Sequence, residues 1–118
     1  MLRDGRGFKK VILICGATDL RRGWPGLSSL IQLSYGLDPY EKGTLCLFCG
    51  RRSDLIKGIC FEGIGMAVYT LRLARGNQFH WPRNADEARA ISPEQYKRLM
   101  EGFTIEGSIK EVYPKTEP

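Results

Sequence analysis

Thr44 to Arg83 reads TLCLFCGRRSDLIKGICFEGIGMAVYTLRLARGNQFHWPR. Four runs in it, at about 44–49, 55–61, 66–73 and 78–81, are rich in β-branched, aromatic and other apolar residues. They are bounded by Gly, Asn, Asp or Ser, the composition of strands between turns. The connections Gly50–Asp54, Glu62–Gly65 and Ala74–Asn77 are four or five residues long. Connections this short join antiparallel neighbours, because a parallel crossover takes a dozen or more residues. The stretch therefore predicts an antiparallel meander. In the third run, Ala67, Tyr69, Leu71 and Leu73 share one face and Met66, Val68, Thr70 and Arg72 the other, which becomes wet towards its end. In the fourth, Phe79 and Trp81 point one way and Gln78 and His80 the other, and Pro82 stops it.

Upstream, Lys9 to Cys15 contains the unbroken apolar run Val11-Ile12-Leu13-Ile14, as expected of a strand buried on both faces. A polar loop, Gly16 to Gly26, follows. Pro25 suits the first turn of a helix over about 25–35, with Leu27, Leu30 and Ile31 inward and Gly36 as its stop. Asp38–Gly43 is a turn into the meander. Downstream, Asn84-Ala85-Asp86-Glu87 suggests a capping box for one helical turn. Ser92-Pro93-Glu94-Gln95 is a stronger one, and Tyr96, Leu99, Met100 and Phe103 behind it fall on one helical face. The expected architecture is α+β: an antiparallel β-meander of about five strands, with one helix after the first strand and a C-terminal helix. Residues 1–9 read as a flexible tail, 10–105 as a single domain and 106–118 as a frayed tail.

The chain has 118 residues, 42% of them hydrophobic and 26% charged, the composition of one self-folding domain. Its net charge is +5, unevenly placed: residues 1–83 hold 13 Lys and Arg against six Asp and Glu, residues 84–118 five against seven. The basic surface thus belongs to the N-terminal part and the meander, which favours a polyanionic partner. No secretory leader and no apolar run of membrane length is seen, so the expected setting is the cytoplasm, with no membrane partner and reduced thiols.

Cysteines stand at 15, 46, 49 and 60. Cys46-x-x-Cys49 invites zinc or redox chemistry, but in a strand i and i+3 point to opposite faces and cannot share a metal, so buried small hydrophobes are expected. His80 is the only histidine. The acids of the basic region, Asp19, Asp38, Asp54 and Glu62, lie in separate turns, whereas a metal-dependent nuclease needs carboxylates converging on its ions. Neither a catalytic set, nor a metal site, nor a cofactor is expected. The stronger signal is cationic. Arg21 and Arg22 flank Trp24, Arg51 and Arg52 occupy the first meander turn and Arg75 the third, and Lys57, Arg72 and Arg83 lie on strands or at their ends. Alternate turns of a meander lie at one end of the sheet, which gathers Arg51, Arg52 and Arg75. Such residues neutralise phosphates without reading sequence, and Trp24 and Trp81 either stack on bases or simply pack. A solvated charged rim is the plain alternative.

The ordered series Ala17–Leu27, Asp38-Pro39-Tyr40, Gly43-Thr44-Leu45, Leu47–Arg52, Asp54–Gly58, Arg72–Pro82 and Leu99–Gly102 resembles the TnpB accessory protein, the second open reading frame, of insertion-sequence-66 elements. The resemblance covers about residues 10–105. It departs from the family pattern at Ile64-Gly65-Met66, where the family usually shows Asp-Gly-aromatic, and at Leu71, where a lysine is usual. The resemblance implies a bacterial protein that assists DNA transposition beside a separate transposase and another element-encoded accessory protein. It supplies no catalytic residues. The expected function is therefore non-catalytic, binding element DNA, the transposase or both through the basic meander. A protein-only adaptor and, less favoured, a nuclease are the alternatives.

Overall fold

The computed structural model describes residues 7–74, 76–83, 86–102, 105 and 111–116. Among these residues six strands and two helices follow in the order β1 (Lys10–Ile14), α1 (Trp24–Tyr35), β2 (Thr44–Cys49), β3 (Leu55–Phe61), β4 (Met66–Arg72), β5 (Glu87–Ile91), α2 (Pro93–Met100) and β6 (Glu111–Pro114). One sheet holds all six strands in the order β4-β3-β2-β1-β5-β6. The class is α+β, as the patterning implies, but the arrangement differs from a five-stranded meander. Only β2, β3 and β4 form one, paired antiparallel throughout. β1 pairs parallel with β2, Val11 opposite Leu45 and Leu13 opposite Leu47, and antiparallel with β5 on its other side.

The parallel pair explains α1, because a parallel return needs a crossover and the crossover covers one face of the sheet. Ile12, Ile14, Cys46, Phe48 and Ile59 on that face pack against Leu27, Ile31 and Tyr35 of α1. Residues one step along the same strands, Val11, Leu13, Leu45, Leu47 and Ile56, turn to the other face and meet Tyr96, Leu99 and Met100 of α2. Period-two alternation in strands clad on both sides gives β1 and β2 their unbroken apolar sequence. Burying a side chain such as Leu27 or Ile31 stabilises the fold by about 1.5–3 kcal/mol. Gly36 ends α1 in the left-handed conformation at φ 65°. Ser92 caps α2, its hydroxyl accepting from the Gln95 amide while the Gln95 side chain accepts from the Ser92 amide.

Three expectations need correction. Residues 78–81 are not a fourth meander strand. The Phe79 amide donates to Ser53 O at 2.6 Å and Pro82 O accepts from Gly16 at 2.9 Å, so the segment crosses the end of the sheet instead of running along β4. The alternation read there still holds, with Phe79 and Trp81 buried and Gln78 and His80 exposed. The capping box expected at Asn84–Glu87 falls partly on residues 84 and 85, which lie outside the described residues, and Glu87 begins strand β5 and not a helical turn. Residues 111–114, assigned to a tail, form β6 on the outer side of β5. Thr116 then donates its amide to Ser34 O at 2.6 Å and its hydroxyl to the same oxygen at 3.0 Å, tying that end to α1. Residues 1–6 of the expected N-terminal tail are outside the described residues, whereas Phe8 stacks edge-on against Tyr69 at 5.9 Å.

Gly58 in the middle of β3 is required by packing. A Cβ there would stand 3.0 Å from methyl groups of both Leu45 and Leu47, which are themselves fully buried. Gly58→Val should lower unfolding free energy by about 1–3 kcal/mol through overpacking, read as a shifted midpoint in urea denaturation.

Candidate nucleic-acid interface

The C-terminal ends of β1 and β2 lie side by side because the strands are parallel. The loop leaving β1 and the turn leaving β2 therefore emerge at the same end of the sheet. The Thr18 amide donates to Cys49 O at 2.9 Å, and Leu20 packs into the α1-side core and over Gly50, which fixes the loop against the turn. Between them lies an open groove of about 860 Å³, walled by Ala17–Arg21 on one side and by Gly50–Arg52, Asp54, Leu55 and Arg72 on the other. Four arginines, Arg21, Arg51, Arg52 and Arg72, line it together with two acids, Asp19 on the first wall and Asp54 on the second.

Asp19 accepts from the Arg21 side chain at 3.0 Å through each oxygen and from the Arg21 amide at 3.1 Å. The side-chain hydrogen bond, followed by the backbone one, holds the Asp19 carboxyl down at about 2. Asp54 is shared, 3.7 Å from Arg52 and 3.5 Å from Arg72, whose side chains are 85% and 63% exposed. Pairs this long and this wet contribute little and release their cations easily. Arg51 is exposed and has no ion-pair partner among the described residues. The groove thus presents several exposed guanidinium groups of the kind that bind phosphate oxygens. Its two acids are already engaged by arginine.

The remaining expected site residues separate. Arg22 is exposed at the rim, its stem lying over Gly26, where a Cβ would meet the Arg22 Cβ at 3.3 Å. Lys57 Nζ reaches Arg22 O at 3.5 Å, beside the groove and not within it. Trp24 begins α1 and is 39% exposed. Arg75 lies outside the described residues, so the expected cluster of Arg51, Arg52 and Arg75 is seen only through its first two members. Trp81 is corrected: it is 5% exposed and its indole N–H donates to Ile14 O at 3.0 Å, so no ring face is left for a base. Arg83 is also reassigned. Its guanidinium donates to Gly16 O at 3.0 Å, Gly50 O at 2.6 Å and Ser53 Oγ at 2.8 Å. It ties the loop after β1 to the turn after β2 while remaining exposed beside the groove. This role was missed because the three acceptors come from distant parts of the chain, two of them backbone carbonyls.

Asp38 and Glu62 sit at the opposite end of the sheet, Asp38 accepting from the Tyr40 amide at 2.9 Å and Glu62 beside the Cys60 thiol at 3.6 Å. The four acids do not converge, and among the described residues no three His, Cys, Asp or Glu side chains come together as metal ligands. Cys46 packs in the α1-side core and Cys49 in the α2-side core, as the strand spacing requires. Burial raises the Cys46 thiol to about 12 and the Cys49 thiol to about 11, which keeps both protonated and unreactive near neutrality. His80 is exposed on a separate concavity with Asn77, Gln78 and Glu101. No helix among the described residues is long and apolar enough to cross a membrane.

With this geometry in place, the comparisons with known proteins define a class: accessory proteins of insertion-sequence transposition. Residues 9–109 match the family described as IS66 Orf2 like protein, and the chain belongs to that family. Uncharacterized protein y4hO of Sinorhizobium fredii (strain NBRC 101917 / NGR234) is similar, 39% identical over 103 residues, 87% of each chain. Uncharacterized protein y4jC of the same organism is 32% identical over 103 residues, 87% of this chain and 86% of its own. No solved structure matches.

The two kinds of arginine should separate in stability measurements. Arg83→Ala leaves Gly16 and Gly50 carbonyls without their donor and should cost about 1–3 kcal/mol. Arg51→Ala should stay within about 0.5 kcal/mol of wild type in the same denaturation experiment.

Proposed function

We propose that this protein is a non-catalytic accessory factor in DNA transposition that holds DNA in the arginine groove between the β1–α1 loop and the β2–β3 turn. One observation carries the reading: four guanidinium groups converge on one open groove, one without an ion-pair partner among the described residues and the others held by exposed pairs. Contacts of this kind bind phosphate backbones by counterion release and are indifferent to base sequence. The engagement of Asp19 and Asp54 by arginine favours holding over cutting, since two-metal cleavage needs carboxylates free to bind the ions. Family membership supports the setting, an insertion-sequence element whose transposase performs the chemistry.

The test is a fluorescence-anisotropy titration of duplex DNA at several salt concentrations. The slope of log K against log salt is about −0.9 for each phosphate neutralised, so three or four groove contacts give roughly −3 to −4. Arg51→Ala combined with Arg52→Ala should make the slope shallower by up to about two. An unchanged slope in the double variant would move the contacts elsewhere. Negligible wild-type affinity at physiological salt, with transposase captured in a pull-down, would favour the protein-only adaptor.

A further inference from the structure

The two edges of the sheet are built differently. β6 is four residues long, ends in Pro114 and is strapped to α1 through Thr116. β4 is seven residues, MAVYTLR, in unbroken register with β3 from Met66 to Arg72. It has no proline, no lysine and no bulge, the devices that normally blunt an exposed edge, and its one charge is at its last residue. Val68 is 47% exposed, and Ile64, in the turn that feeds the strand, is fully exposed.

The ladder shows which backbone groups of β4 are free. The Leu73 amide donates to Asp54 O at 2.7 Å at one end, and the Glu62 amide to Gly65 O at 2.9 Å at the other. Both pairs continue the β3–β4 register. Hydrogen-bonded pairs alternate along an antiparallel ladder, so Ala67, Tyr69 and Leu71 direct their N–H and C=O groups at β3. Met66, Val68, Thr70 and Arg72 direct theirs outward, and no strand meets them among the described residues.

We propose that β4 is a homodimerisation edge that pairs antiparallel with β4 of a second copy about a twofold axis at Tyr69. A second copy is the occupant because the free edge is complementary to itself. With Tyr69 on the axis, Met66 lies opposite the partner's Arg72, and Val68 opposite the partner's Thr70. All seven residues pair, and every outward donor and acceptor finds a hydrogen-bonded position. An axis on Val68 or Thr70 would satisfy the alternation but leave strand ends unpaired. The pairing places the only charge of each strand opposite an uncharged residue, so no like charges meet across the interface. The two sheets join into one, and a twofold perpendicular to it keeps both α1 faces on the same side. The same axis reverses strand direction, so on the DNA reading above the two arginine grooves lie at opposite ends of the joined sheet. The pairing itself does not rest on it and is tested without DNA.

The test is sedimentation velocity on the full chain at micromolar concentration. The wild type should sediment as a dimer. Thr70→Pro removes an outward amide that β3 does not use, and Val68→Lys adds an edge charge. Each should give a monomer with the wild-type far-ultraviolet circular dichroism spectrum. Tyr69→Cys should form a disulfide-linked dimer with oxidised glutathione, since residues facing across such an axis approach closely and the four native cysteines are buried. A monomeric wild type, including one that pairs β4 only with another protein's strand, overturns the proposal. So does a dimer that survives both edge variants, a dimer in which Tyr69→Cys does not cross-link, or unfolding of Thr70→Pro, which would place that amide in the β3 ladder.

Discussion

The parallel pairing of β1 with β2 is the constraint from which the rest of the molecule follows. Two parallel strands require a crossover, and residues 15–43 supply it, carrying α1 over one face. The same pairing leaves β1 between two neighbours in the interior of the sheet, so its residues are buried on both sides and its sequence is apolar without alternation. It also decides where the chain's functional loops fall. Had β1 been antiparallel to β2, the loop bearing Arg21 and the turn bearing Arg51 and Arg52 would have emerged at opposite ends. In the parallel arrangement they face each other across a groove.

Within that groove, the arginine side chains are exposed and their ion pairs contribute little to stability. Beside it, the Arg83 guanidinium bridges the loop after β1 to the turn after β2. Arg21 is held by Asp19, and Arg52 and Arg72 share Asp54. Those carboxylates limit mutual repulsion among the guanidinium groups without burying them.

What could be read from the sequence follows from how local each feature is. β2, β3 and β4 were legible because short turns dictate antiparallel neighbours. α1 and α2 were legible because Pro25, Gly36 and the Ser92–Gln95 capping box mark their ends. β5 was not legible: Glu87-Ala88-Arg89-Ala90-Ile91 has weak strand propensity and becomes a strand by pairing with β1, far away in sequence. Trp81 was misread, and the structural partners of Arg83 were missed, for the same reason. Near a basic turn an indole and a guanidinium look like ligands for a base and a phosphate. Only the fold shows that Ile14, Gly16 and Gly50 are their partners. The exposure of Arg21, Arg51 and Arg52 was legible because turn residues stay exposed whatever packs behind them, and that of Arg72 because it ends a strand on the face read as turning wet.

The central claim, that the groove between the β1–α1 loop and the β2–β3 turn is the DNA-contacting surface, is tested most directly by mapping amide chemical-shift changes as DNA is added to isotope-labelled protein. The account predicts that the perturbed amides cluster at residues 17–22, at 50–54 and at Arg72, while those of α2 remain unmoved. Perturbations centred on α2, or spread evenly over the surface without a maximum at the groove, would contradict it.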